Sequence, residues 1–162
     1  MLGSSHSPIE QHLMKALAQT ASKIAGEQIP TTTEIYGVAT PLSLRLADAL
    51  LNIGREAIAN AVSHANPTML KITLRYTENS VELEVEDNGQ GFRYTPEAAG
   101  YGILGMQKRA RDVAAILAII SSPELGTRVQ VKAKLRHDKF VMRILANLKK
   151  RSSKTSVDFN AK

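Results

Sequence analysis

The chain has 162 residues, 43% hydrophobic and 22% charged, the proportions of an ordinary globular domain, and it is long enough for one buried core. It contains no cysteine, which excludes a disulfide framework and a thiolate metal centre, and no apolar run approaches the roughly 20 residues that cross a bilayer. The net charge of +6 sits entirely in the tail: residues 1–135 hold 13 Lys+Arg against 13 Asp+Glu, and residues 136–162 hold 8 against 2, so no nucleic-acid-binding core is expected.

Residues 1–7 are small and polar and read as a disordered lead, without the pattern of a signal peptide, so cytoplasmic chemistry is expected. From Pro8 to Ile24, the apolar residues Ile9, Leu13, Leu17 and Ile24 recur at helical spacing, and Gly26 and Pro30 end that helix. Thr31-Thr32-Thr33 reads as a linker, and Glu34 to Val38 as a short strand. Thr40-Pro41 is a helix start, and Leu46, Leu50, Ile53, Ala57 and Ala61 carry the apolar face of a long helix that Asn66-Pro67 terminates. Two alternating strands follow, Leu70–Tyr76 and Val81–Val85, joined by a tight antiparallel turn at Glu78-Asn79-Ser80. Residues Gly89 to Gly102 lack periodicity and read as a loop, Leu104–Ala115 as a helix, Ile116–Ile120 as a buried strand, and Val129–Leu135 as the last strand. The expected fold is an α+β two-layer sandwich, a mixed and mainly antiparallel sheet with helices on one face. Beyond Leu135, Phe140, Val141, Ile144, Leu145 and Leu148 alternate helically with Lys139, Arg143, Lys149, Lys150 and Arg151. That pattern describes a basic amphipathic helix, packed on its own domain or set against a membrane surface or partner, before a disordered end at residues 152–162.

Two groups of residues carry chemistry. Asp87-Asn88-Gly89-Gln90-Gly91-Phe92 follows directly on a strand, and Glu56, Asn60 and His64 step by four along the long helix. Asp-Asn-Gly is a strong turn signal on its own. A hairpin turn leads straight into a partner strand, however, and here the chain opens a loop that closes on a second glycine cluster, Gly100 to Met106, directly before a helix. Helix N-termini with approachable glycine backbone suit phosphate groups. The Glu56–Asn60–His64 stripe reads either as a solvated helix face or as a polar row holding a phosphate-bound metal through the neutral oxygen of Asn60. His64 serves equally well as a helix-end residue or a phosphate contact.

The segments Arg55-Glu56-Ala57-Ile58-Ala59-Asn60-Ala61-x-x-His64-Ala65, Asp87 to Phe92, Gly100-x-Gly102-Ile103-x-Gly105-Met106-x-x-Arg109-Ala110, and Gly126-Thr127 stand in order along the chain. Together they resemble the catalytic and ATP-binding domain of bacterial sensor histidine kinases, of the subgroup partnering NarL-type response regulators, within the ATPase superfamily of gyrase, Hsp90 and MutL. The resemblance runs from about residue 34 to 135 and implies a Bergerat-type ATP-binding fold over residues 31–135, with residues 8–30 a remnant of a preceding helical hairpin. It implies that Asp87 binds the adenine amino group, that Asn60 coordinates Mg²⁺ on the ATP phosphates, and that Gly89 and Gly91 shape the pocket. It further implies that Gly102, Ile103, Leu104, Gly105 and Met106 form an ATP lid, that Thr127 lies beside the base, and that His64 contacts the nucleotide. Glu56 takes a metal- or water-orienting role. Ser63 stands where a Lys is common, Ala114-Ala115 replaces a glycine pair, and Glu124 occupies a usual turn glycine.

The acceptor helix of such kinases carries His followed by an acidic residue. Here His6, His12 and His64 precede Ser7, Leu13 and Ala65, and His137-Asp138 falls after the last strand. The resemblance therefore implies a phosphoryl donor domain whose acceptor histidine lies on a separate helical domain of a parent attached to the inner membrane. Two alternatives stand beside it: a stand-alone serine kinase of the anti-sigma-factor type or an ATPase on the same fold, and a non-enzymatic nucleic-acid- or lipid-binding module acting through the basic tail.

Overall fold

The computed structural model describes residues 8–95 and 99–135; the expected lead and the basic tail from residue 136 lie outside them. The elements are α1 (Pro8–Ala25), a 3₁₀ turn (Gly26–Gln28), β1 (Thr31–Tyr36), α2 (Leu44–Asn60), a π turn (Ala61–Ala65), β2 (Leu70–Tyr76), β3 (Ser80–Asp87), α3 (Tyr101–Asp112), β4 (Ile116–Ser121) and β5 (Thr127–Lys134). They build one sheet in the order β1-β2-β3-β5-β4, with β1 parallel to β2 and the other pairs antiparallel. This is the expected mixed, mainly antiparallel sheet.

Strand alternation sorts side chains between two environments. Leu70, Ile72 and Leu74 of β2, Val81, Leu83 and Val85 of β3, and Val129, Val131 and Ala133 of β5 point to the helix side and are buried. Against them lie Leu46, Leu50, Ile53 and Ala57 of α2 and Ala61 of the π turn, the face set by the 3.6-residue period. Each fully buried Leu or Ile contributes about 1.5–3 kcal/mol by leaving water. The helix expected as a hairpin remnant, α1, shares this core through Leu13, Met14, Leu17 and Ala21, whereas Ile24 is 43% exposed. Close packing of the two helices depends on Gly54, where an added Cβ would stand 2.6 Å from Leu17 Cδ2. On the other sheet face, acidic β3 lies between basic neighbours, and Glu82 pairs with Arg75 at 2.8 Å while Glu86 pairs with Arg128 at 2.9 Å.

Several boundaries differ from expectation. Thr31–Thr33 is no linker but the first half of β1, in register with Leu70–Ile72; β-branched threonines suit a strand whose amides find a parallel partner. The long helix starts after Ser43, whose hydroxyl accepts from the Leu46 amide at 3.3 Å, and not at Thr40-Pro41, because Leu42 before the cap is drawn into the core. Its last turn widens to the π form and ends at Asn66 in the left-handed conformation. Helix α3 begins three residues early, at Tyr101, and stops at Asp112 because Ala114 takes φ +53.

Candidate functional site

β3 delivers Asp87 to one end of the sheet, in register with Leu70 on one side and Thr127 on the other. The residue is 5% exposed, and its carboxylate accepts from the Gly89 amide at 2.8 Å. Burial pushes its pKa above the ordinary value, opposed by bonds from the Gly89 and Thr127 amides and reinforced by the nearby Glu86 charge. An ionised carboxylate offers about four acceptor positions, so two amides leave capacity for a ligand donor.

The residues after Asp87 are tied down on two sides. Asn88 Oδ1 accepts from the Thr68 and Met69 amides, both at 2.9 Å. The Gln90 amide donates to the Ala65 carbonyl at 2.8 Å and its side-chain amide to the His64 carbonyl at 2.6 Å, which satisfies carbonyls at the end of α2. An added Cβ on Gly89 would collide with the Ala65 carbonyl oxygen, so the chain can cross here only as glycine. Toward the β4–β5 turn, Gln90 accepts from the Glu124 amide at 2.6 Å, and the Phe92 amide donates to Ser121 Oγ at 2.9 Å.

Around Asp87 lies a cavity of about 470 Å³, within the range of small-molecule sites. Ala57, Ala61 and Ala65 give it a flat floor, and Val85, Ile119, Val129, Ile103 and Met106 give it apolar walls. Asn60 and His64 line it from α2 and the π turn, and Thr127 from β5. Across from Asn60 stands the start of α3, capped by Gly100 without a side-chain bond. The first turn passes close over α2: a Cβ on Gly102 would strike Glu56 Oε1 and lie 3.4 Å from Asn60 Nδ2.

Of the residues expected at a site, Asn60, His64, Asp87, Gly91, Gly102, Ile103, Met106 and Thr127 line this one cavity. Glu56, Gly89, Leu104 and Gly105 do not. Glu56 backs Gly102, Gly89 lies under Ala65, Leu104 is 48% exposed, and Gly105 faces Arg109. Of the apolar lining, Ile103 and Met106 were expected, whereas the other walls and the alanine floor were not, though Val85 and Val129 stand two residues from Asp87 and Thr127 on the same strand faces, and the alanines one position from Glu56, Asn60 and His64. Ile119 and Tyr101 carried no such signal.

An acceptor carboxylate at the bottom of a flat apolar slot, with free helix amides above its mouth, fits a planar base carrying an amino group and a polyphosphate. Residues 46–137 match the model of the histidine kinase-, DNA gyrase B- and HSP90-like ATPases. The chain belongs to that family. Among curated proteins, sensor protein VraS of Staphylococcus epidermidis is 36% identical over 94 residues, 57% of this chain and 27% of its own length. VraS of Staphylococcus aureus is 35% identical over the same shares. The chain thus spans about a quarter of the length of these relatives. The histidine kinase domain of a blue-light activated histidine kinase from Erythrobacter litoralis superposes with a TM-score of 0.64 at 19% identity, over 79% of this chain and 61% of that one. The Acinetobacter baumannii histidine kinase AdeS superposes at 0.61 with 12% identity, over 80% and 64%. At those identities the likeness is one of fold, the α/β Bergerat type.

Proposed function

We propose that the chain is the ATP-binding catalytic domain of a two-component sensor histidine kinase, passing the γ-phosphoryl group of ATP to a histidine on a separate helical domain. The observation that carries this reading is Asp87, buried at the foot of an apolar slot that also opens onto Asn60 and the start of α3. Asp87 accepts from the adenine amino group, with Thr127 beside it. The alanine floor and the valine and isoleucine walls hold the base by its faces. The triphosphate then runs toward His64, Asn60 and the α3 amides, and Gly91 and Gly102 keep the backbone low along that path.

Among the described residues no group of three His, Cys, Asp or Glu side chains could hold a metal by itself. One neutral oxygen, from Asn60, fits Mg²⁺ carried in on the phosphates, since that ion keeps most of its shell as phosphate and water oxygens. When bound, Mg²⁺ neutralises charge on the β- and γ-phosphates. Glu56 lies behind Gly102, beside the position that also neighbours Asn60, and would orient Asn60 and water toward the ion. In the transfer, an imidazole nitrogen of the incoming histidine bonds to the γ-phosphorus as the bond to the bridging oxygen breaks. ADP leaves, and the imidazole proton passes to solvent. Catalysis by this domain is therefore positioning and charge neutralisation.

The acceptor domain lies on the same parent protein, which is attached to the inner membrane with this domain on its cytoplasmic side, and the phosphoryl group passes on to a response regulator of the NarL type. Incubating the chain with Mg²⁺-ATP and a purified acceptor helical domain tests the reading. The expected product is an acid-labile phosphohistidine, abolished by Asn60→Asp and by EDTA. An acid-stable phosphoserine would favour the serine kinase reading, and failure to bind an ATP analogue would end both.

A further inference from the structure

The sheet has two chemically different ends. The cavity lies where β3 ends and β2 and β5 begin; at the other end β1, β2 and β5 finish, β3 and β4 start, α2 begins and α3 stops. Here a groove of about 560 Å³ is lined by Arg45, Arg111 and Lys134, all exposed. Among the described residues none of the three makes an ion pair. Arg45 reaches only the Asp112 carbonyl oxygen, at 3.5 Å, and the Asp112 carboxylate is held by Lys108 at 3.0 Å. Two further carboxylates belong to the elements that frame the groove, Glu78 in the β2–β3 turn and Asp48, one turn along α2 from Leu44. The N-terminus of α2 adds the positive end of a helix dipole.

In the segment that leads into the groove, two large apolar side chains stand almost wholly in water: Val38 is 88% exposed and Leu44 84%. Leu135, the last described residue, lines the groove, and the sequence of residues 136–162 holds 8 Lys+Arg against 2 Asp+Glu.

We propose that this end of the domain docks on an anionic membrane surface. Arg45, Arg111 and Lys134 take the lipid phosphates and carboxylates, and Val38 and Leu44 enter the boundary between headgroups and acyl chains. Protruding apolar side chains beside unpaired cations make an interfacial anchor, whereas a protein partner's hot spots seat in packed pockets. Docking this way leaves the nucleotide cavity, at the opposite end, facing away from the bilayer and open to solution.

The full chain is sedimented with phosphatidylserine–phosphatidylcholine vesicles and with phosphatidylcholine alone, at low and high salt. Binding to the anionic vesicles, weakened by salt, is expected. Each cation near such a surface is worth about fivefold, so Arg45→Glu/Arg111→Glu/Lys134→Glu should weaken binding at least about 100-fold. Val38→Ser/Leu44→Ser, which removes the apolar groups without adding charge, should weaken it about tenfold or more while leaving any binding to soluble polyglutamate unchanged. Wild-type affinity for an ATP analogue certifies that each variant is folded; where the triple variant fails that check, Leu44→Ser alone is read. The proposal is overturned if the chain ignores anionic vesicles, if the charge-reversed chain binds them as wild type does, or if polyglutamate binds as tightly as vesicles and the apolar variants change nothing.

Discussion

The two flanks of the nucleotide cavity are held in opposite ways. Along Asp87–Phe92, side chains and backbone are bonded in sequence, to Gly89, to Thr68 and Met69, to His64 and Ala65, and to Ser121 and Glu124. At the start of α3, Gly100 provides no side-chain cap, Tyr101 is 95% exposed, and the buried contacts of the helix are Met106 and Ala110. A base-reading flank gains from being fixed before the ligand arrives, because little ordering then opposes binding. A phosphate-covering flank gains from amides left free to meet charge, and regions with few buried contacts are the ones that shift.

Matched glycine substitutions break the comparison most strongly. Gly126 takes φ +77, and a Cβ there would collide with the Asp87 carbonyl oxygen, so Gly126→Ala combines left-handed strain with a backbone clash. Urea unfolding should show a loss of about 2–5 kcal/mol. At Gly100 an added Cβ meets nothing within 4 Å, and Gly100→Ala should change stability by less than about 0.5 kcal/mol. Equal losses at both positions would mean that the flanks are equally fixed.

Asp87→Asn comes next and separates binding from stability. It removes a charge-assisted bond of about 1.5–3 kcal/mol, so affinity for an ATP analogue should fall roughly 10- to 150-fold by titration calorimetry. The unliganded protein should move the other way. Because the folded carboxyl has a raised pKa, its stabilising contribution is fully present below the unfolded pKa and is lost as pH rises through the folded one. Acidification through that window should therefore stabilise the unliganded wild type relative to Asp87→Asn while weakening its nucleotide binding. Parallel thermal melting and binding curves from about pH 7 to about pH 4 read both signs.

The fixed flank was largely legible in the sequence and the other was not. The place of Thr127 came from the family resemblance alone, whereas Asp87 could be placed because the alternating strand before it and the glycines after it specify backbone position without long-range information. The elements came in the expected order for the same reason. Thr31–Thr33 was misread because three polar residues show no alternation, and only the parallel partner at Leu70–Ile72 makes them a strand. The π turn at Ala61–Ala65 depends on how α2 meets Gln90, a contact across 26 positions. The start of α3 was set three residues late because its cap, Gly100, offers no side-chain signal. Helix spacing also could not show that Gly102 would come down against Glu56, which leaves that carboxylate behind the cavity lining.

That contact yields a smaller prediction on the loosely held flank. Gly102→Ala pushes a methyl group into the Glu56 carboxylate and should cost about 1–2 kcal/mol of analogue affinity by displacing the first turn of α3. Shortening the obstacle in Gly102→Ala/Glu56→Ala should recover more than half of that loss relative to Glu56→Ala alone, in a double-mutant cycle. Additive losses would mean that Gly102 acts through its amide or its flexibility rather than through room beside Glu56.

The smallest expected effect lies at two residues that occupy glycine conformations without being glycine. Glu124 holds φ +66 and Ala114 φ +53. A side chain in the left-handed region costs roughly 1–2 kcal/mol, and glycine returns about 0.4–1 kcal/mol of that to the unfolded chain, so each change to glycine should stabilise by about 0.5–1 kcal/mol. The two should nevertheless differ in their effect on the cavity. The Glu124 amide is bonded to the Gln90 carbonyl at 2.6 Å, inside the fixed flank, so Glu124→Gly should raise the melting temperature and leave analogue affinity unchanged, because that flank is already in place. Ala114 ends α3, the helix whose other end covers the cavity, and it donates to the Arg111 carbonyl at 3.0 Å. If the first turn of α3 must shift when the triphosphate enters, Ala114→Gly, by loosening the far anchor of the helix, should change analogue affinity by up to about threefold while ADP and ATP analogues still rank as before. A change at Glu124 and none at Ala114 would reverse which flank is held and which one moves.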